Sequence, residues 1–358
     1  MTADTLVPPT RDRVTALLER MANRRVVVIG DVMLDRYLIG DTDRLSPEAP
    51  VPVVSVRTSR SALGGAANVA ANIAAIGAHP LLAGVVGDDE HAGIIRAELL
   101  AQRLDDRYLV VVADRPTTTK TRVIARGQQV VRIDEELDTP LDSNDAARLW
   151  AAIDAMMASA DALVLEDYNK GALGPALIRD AVAAARRRGM PVVVDPKYRH
   201  FFEYRGVSVF KPNRRELEAA LGAGVDFSRD PHALVAARER LGVDNLLVTL
   251  GSEGMALVTH DGKRLTVPSR ARDVFDVSGA GDTVTAWVAT ALAAGASVPE
   301  AAYLANYAAG LEVAKAGVST VLPAEVLALY DEEHDAIDRK STRLNSSHLR
   351  LSRMPSSA

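Results

Sequence analysis

The chain has 358 residues and no cysteine, with 47 acidic against 42 basic residues and a formal net charge of -5. That length suits one large α/β domain with an appendage. The missing cysteines exclude disulfides, thiolate metal sites and cysteine nucleophiles. The mild acidity leaves no broad basic field for nucleic acid or an anionic membrane.

Met1 to Arg13 has no apolar centre for a signal peptide, and no apolar run reaches the roughly 18 to 20 residues needed to span a bilayer. A cytoplasmic protein is expected. A polar start and a short helix, Val14 to Met21, form an N-terminal extension over 1–24. The continuous apolar run from Arg25 to Ile29, closed by Gly30-Asp31, predicts a buried parallel strand with a polar loop at its carboxyl end. Ligands collect at such ends in open α/β sheets, so Asp31 and Asp35 are candidates for sugar hydroxyls, with turn and cap residues as the alternative.

Pro-rich segments and β-like runs near 40–60 and 115–134 break the surrounding rhythm and are assigned to a small β-sheet lid. Gly64-Gly65-Ala66-Ala67-Asn68 opens an Ala-rich helix; glycines there admit a ligand or allow close helix packing. From Leu81 onward strands alternate with helices: strands at 81–86, 162–165, 191–194, 207–210 and 245–249, and a Gly-turned pair at 254–259 and 263–267. Helices are expected at 89–103, 142–158, 174–188, 214–220 and 231–241. This alternation predicts a doubly wound, mainly parallel sheet over 25–335. Polar strand ends, among them Glu166-Asp167, Asp195-Pro196-Lys197 and Lys211-Pro212-Asn213, converge on one crevice. The Ser- and Arg-rich stretch 339–358 is expected to be disordered and a non-native extension.

No Walker-type loop occurs, no G-x-G-x-x-G follows the first strand, and the histidines lack metal-ligand spacing. The strongest local signal is Asp276-Val277-Ser278-Gly279-Ala280-Gly281-Asp282. Its small residues let consecutive amides form an anion nest at the start of an apolar helix, where the dipole favours negative charge. Asp282 beside that nest is either a helix cap or a proton acceptor for an attacking hydroxyl.

The glycine pair with Asn68, Asn213-x-x-Glu216, Gly251-x-x-Gly254 and the final Gly-Ala-Gly-Asp stand in the order seen in PfkB, or ribokinase-like, carbohydrate kinases. The chain resembles that family over about 30–320. Gly30-Asp31-Val32-Met33-Leu34-Asp35-Arg36-Tyr37, Ser46 to Val53, Asp167-Tyr168-x-Lys170-Gly171 and Asp195-Pro196-Lys197 resemble its heptose 7-phosphate kinase branch. Val277, where many members carry Thr, also fits that branch.

The resemblance implies an ATP- and Mg²⁺-dependent kinase with a ribokinase-like fold. Asp282 would be the base, and Gly279, Ala280 and Gly281 would bind the migrating phosphoryl group. Asn213 and Glu216 would organise Mg²⁺ and the nucleotide phosphates, with Arg214, Arg215 and Lys197 alongside; Thr249, Gly251, Ser252 and Gly254 would border adenosine. Asp31, Asp35, Gly64, Gly65 and Asn68 would hold the sugar. Lys120, Arg122, Lys170 and Lys197 are candidates for its phosphate, each with a solvated charge as the plainer reading. Asp276 and the carbonyls of Gly317 to Ser319 would hold K⁺, and a homodimer would form through the lid. A kinase for another sugar or sugar phosphate, and a non-catalytic sugar or nucleotide sensor, are the alternatives. Bifunctional members of the branch carry a nucleotidyltransferase domain after the kinase, and nothing in this sequence resembles its His-containing motif.

Overall fold

The computed structural model describes residues 4–224, 232–271, 274–315 and 317–334. The expected tail at 339–358 and the expected helix start at residue 231 lie outside these described residues.

After β1 (Asp4–Thr5) and α1 (Arg11–Met21), β2 (Arg25–Gly30) enters a large sheet, and only Asp31 separates it from β3 (Val32–Leu45). β4 (Pro52–Gly65) returns antiparallel to β3 and delivers α2 (Ala66–Ala75). There follow β5 (His79–Val86), α3 (Glu90–Ala101), β6 (Leu109–Val111), β7 (Thr119–Ala125), β8 (Gln128–Glu135), α4 (Ser143–Met157), β9 (Ala162–Glu166), α5 (Pro175–Arg187) and β10 (Val192–Asp195). The chain continues through β11 (Val209–Phe210), α6 (Arg214–Leu221), α7 (Ala233–Leu241), β12 (Asn245–Thr249), β13 (Met255–Val258), β14 (Arg264–Val267), α8 (Ala280–Ala293) and α9 (Val298–Glu312). A further helical stretch occupies 323–334.

The large sheet has the order β1-β14-β13-β12-β11-β10-β9-β2-β5-β6, and only β13 runs against its neighbours. The expected mainly parallel, doubly wound sheet is therefore present. Alternation along β2 shows why its run is apolar throughout: Val26 and Val28 join one core layer with α1, α2, α8 and α9, while Val27 and Ile29 join the other with α4, α5 and α7. α1 belongs to the first layer, with Val14, Leu17, Leu18 and Met21 buried, and β1 pairs with β14, so the segment before residue 25 is built into the main domain.

The second sheet has the order β4-β3-β7-β8. It reaches from Val32 to Gly65, further in both directions than the Pro-rich signal indicated. The stretch Arg57–Ser61 is polar on both faces because it is largely exposed, so it carries no alternation to read. Registration puts Asp35 beside Lys120 and Tyr37 beside Arg122, and then Lys120 opposite Asp134 and Arg122 opposite Arg132. Residues at such paired positions share a face, so one side of the small sheet carries a dense set of charges.

Candidate active site

α8 begins at Ala280, four residues before the expected apolar run, because Gly279 turns the chain at φ 94° and serves as its N-cap without a side-chain bond. A Cβ there would lie 3.2 Å from Asn68 Nδ2 and 3.3 Å from Glu312 Oε1 in a left-handed conformation, so glycine is required twice over. The helix's first amides lack intrahelical partners and open toward a cavity. Asp282 sits in the first turn and is 4 % exposed. Its carboxylate does not cap α8. Oδ2 accepts from Asn68 Nδ2 at 2.7 Å and Oδ1 from the Tyr168 hydroxyl at 2.9 Å. Burial pushes its pKa up to about 6, Asp195 adds to the rise, and the two donors with Lys211 oppose it.

Behind Asp282 the ends of β9 and β10 contribute Glu166 and Asp195; oxygens of all three acids lie within 4.8 Å of one another. Lys211, after β11, pairs with Asp195 at 2.8 Å in full burial. Among the described residues Glu166 has no hydrogen-bond partner for either side-chain oxygen, and burial with Asp195 nearby drives its pKa well above the usual carboxylate range.

A cavity of about 650 Å³ adjoins this corner. One wall is Asn213, Arg215, Thr249, Gly251, Ser252 and Gly254; the other includes Val277, Ala280, Gly281, Val284, Ala309 and Val313. Of the expected nucleotide residues, Asn213, Arg215, Thr249, Gly251, Ser252 and Gly254 line this cavity, whereas Arg214 turns to Glu253 at 2.9 Å and Lys197 and Glu216 pair with each other. Asn213 and Glu216 form a capping box on α6: Asn213 Oδ1 accepts from the Glu216 amide at 2.9 Å, and Glu216 Oε2 accepts from the Asn213 amide at 2.8 Å. Lys197 joins Glu216 Oε1 at 2.5 Å and lies 4.8 Å over the Tyr168 ring, linking the cavity to the base.

Asp31 turns inward. Its oxygens accept from the amides of Tyr168 (2.7 Å), Lys170 (3.0 Å) and Ala172 (3.2 Å), so it holds the loop that presents Tyr168. Asp35 pairs with Arg122, whose guanidinium lies 5.3 Å over Tyr37. The glycine pair has a local reason: a Cβ on Gly64 would come within 2.6 Å of Asp35 Oδ2, and one on Gly65, at φ 56°, within 2.4 Å of the Asp31 carbonyl. Lys120 bonds Asp134 at 3.2 Å and Glu136 at 2.9 Å, and Lys170 bonds Glu136 at 2.8 Å. Asp276 accepts from the Ser278 amide at 2.9 Å. Glu312, on α9, is buried, and burial raises its pKa to about 8, with Asp276 and Asp282 reinforcing the rise and the Ser319 backbone opposing it.

Sequence reasoning named Glu166 as a polar strand end and Tyr168 within a motif without giving either a role, and it missed Glu312 and Glu136. Glu312 left a legible trace as a lone acid in an Ala-rich apolar run; Glu136 left none beyond its position.

A doubly wound domain with a small second sheet, a buried carboxylate in the first turn of a helix and an adjoining cavity has the build of a phosphoryl-transfer enzyme. The model for the pfkB family of carbohydrate kinases matches residues 23–325, and the chain belongs to that family. Membership makes it an ATP-dependent carbohydrate kinase. It is 43% identical over 331 residues to a protein named bifunctional protein HldE from Trichlorobacter lovleyi, covering 92% of this chain and 67% of that one. It is 49% identical over 306 residues to the protein of the same name from Azorhizobium caulinodans, covering 85% and 64%. The chain thus spans about two thirds of the length of these relatives. Among solved structures it is similar to Arabidopsis thaliana ribokinase complexed with ribose and ATP, at TM-score 0.68 and 25% identity over 86% of this chain and 98% of that one. The fold is shared with Escherichia coli phosphofructokinase-2 in complex with potassium, at TM-score 0.69 and 17% identity over 87% and 99%. Among the described residues no helix is long and apolar enough to cross a membrane.

Proposed function

We propose that the chain transfers the γ-phosphoryl group of ATP to the C1 hydroxyl of D-glycero-β-D-manno-heptose 7-phosphate, giving the 1,7-bisphosphate on a route toward ADP-heptose. The observation that carries the reading is Asp282: a buried carboxylate, oriented by two neutral donors, in the first turn of α8. The sequence likeness to the heptose 7-phosphate kinase branch supplies the acceptor.

Asp282 takes the proton of the attacking hydroxyl. The new O–P bond forms as the bond from the γ-phosphorus to the β–γ bridging oxygen breaks, and ADP leaves. A carboxyl held at about 6 is basic enough to help at neutral pH yet still ionised there. The amides of Gly279, Ala280 and Gly281 meet the charge on the moving group, and the helix dipole adds to them. Thr249, Gly251, Ser252, Gly254 and Arg215 border the nucleotide, while Asp35, the glycine pair and Asn68 frame the sugar.

Asn213 and Glu216 offer an amide and a carboxylate, the hard oxygen donors that suit Mg²⁺. Their existing bonds to backbone amides favour holding it through water. Mg²⁺ there supplies charge neutralisation for the nucleotide phosphates. Asp276 and the backbone of Gly317 to Ser319, beside Glu312, suit K⁺. The protein works in the cytoplasm as a homodimer joined through the lid, where Val56, Val130, Val131 and Ile133 are exposed.

An ATP-consumption panel tests the acceptor. Heptose 7-phosphate is expected to give the highest kcat/KM; preference for ribose, fructose 6-phosphate or a nucleoside would overturn the named reaction.

A further inference from the structure

Lys120 and Lys170 come from different parts of the fold, one from β7 and the other from the loop after β9. Their ammonium groups nevertheless converge on one carboxylate, Glu136, at 2.9 and 2.8 Å, each lysine taking a different oxygen. All three side chains are only partly exposed, at 16%, 17% and 27%. The two ammonium groups hold the Glu136 carboxyl below its ordinary range.

The neighbourhood is the acceptor side of the cleft. Lys120 stands in register with Asp35, and the backbone of Lys170 is bonded to Asp31. Glu136 itself lies just past the end of β8, in the connection to α4, outside the strand ladder. It can swing away without breaking sheet hydrogen bonds.

We propose that Glu136 is an internal stand-in for the phosphate of the acceptor, closing a subsite built by Lys120 and Lys170. A phosphate dianion carries about twice the charge of a carboxylate and three acceptor oxygens, so it displaces Glu136 from the two ammonium groups. A sugar hydroxyl cannot do so, and an unphosphorylated sugar meets a neutralised surface. The device selects sugar phosphates by making the subsite accessible only to a stronger anion. The inference rests on the reading that the acceptor is phosphorylated.

The test uses the full chain carrying Glu136→Gln, which keeps the shape and removes the charge. The KM for heptose 7-phosphate is expected to fall by about threefold to tenfold, the scale of releasing two partly exposed ion pairs. The KM values for ATP and for unphosphorylated heptose should stay unchanged. An unchanged or raised KM for the phosphorylated acceptor overturns the proposal.

A second arm reads the subsite without turnover. Binding of inorganic phosphate is measured by calorimetry with the nucleotide site filled by a non-hydrolysable ATP analogue. Glu136→Gln should tighten it by a similar factor, and adding Lys120→Met and Lys170→Met should abolish the gain. If only unphosphorylated sugars are turned over, the proposed reaction fails; phosphate tightening in this arm then still supports the subsite, and its absence rejects it.

Discussion

Asp282 and Glu136 are both carboxylates held by two donors, and their pKa values move in opposite directions. Asp282 is buried, and its donors, the Asn68 amide and the Tyr168 hydroxyl, carry no charge; burial wins and the carboxyl rises to about 6. Glu136 is half-buried, and its donors are two ammonium groups; their charge wins and the carboxyl falls. Basicity here is set by the charge of the donors and the depth of burial, while the number of hydrogen bonds is the same. In the proposed reaction the first corner accepts a proton, and in the proposed subsite the second stays ionised and exchanges partners.

The comparison can be broken first at its strongest point. Asp282→Asn retains both contacts to the side chain's position but cannot accept a proton, and kcat should fall by about 10² to 10⁴ with ATP binding retained. Steady-state kinetics alongside nucleotide titration checks this, and near-normal turnover would remove Asp282 as the base. A smaller effect sharpens the role of neutral donors. The acid limb of kcat/KM should lie near pH 6, falling below it as Asp282 is protonated. Tyr168→Phe removes a donor that stabilises the ionised form, so the limb should move to higher pH; a limb that stays put or moves down contradicts the assignment. The smallest effect belongs to the lid. Arg132 pairs with Asp134 at 2.8 Å in an exposed setting, and Arg132→Gln should change stability to urea by no more than about 1 kcal/mol.

The parts of the fold that were legible in the sequence are those governed by burial. β2, β9, β10 and β12 announced themselves as apolar runs, and α4 and α5 by length and flanking residues, because a strand or helix covered on both sides must be apolar there. β3 and β4 were read short toward the large sheet, because Arg57–Ser61 carries no alternation and only Asp31 separates β2 from β3, so no turn signal marks where the second sheet begins. β6 has three residues and α9 follows α8 as another Ala-rich helix, so neither carried a distinct period. In the site, the Gly279–Gly281 turn and the buried Asp282 were visible because small residues before a lone acid are chemically unusual. Asp31 was read as a ligand for sugar hydroxyls, whereas its oxygens hold the Tyr168–Ala172 loop, a contact between segments 137 to 141 residues apart that no local pattern encodes. Asn68 likewise spends its donor on Asp282 across 214 residues.

Asp31 is also the single residue between the large sheet and the lid. Its amide is bonded to the Glu166 carbonyl, and its side chain grips the loop bearing Tyr168. The joint between the two sheets and the loop that sets Tyr168 against Asp282 thus share one residue.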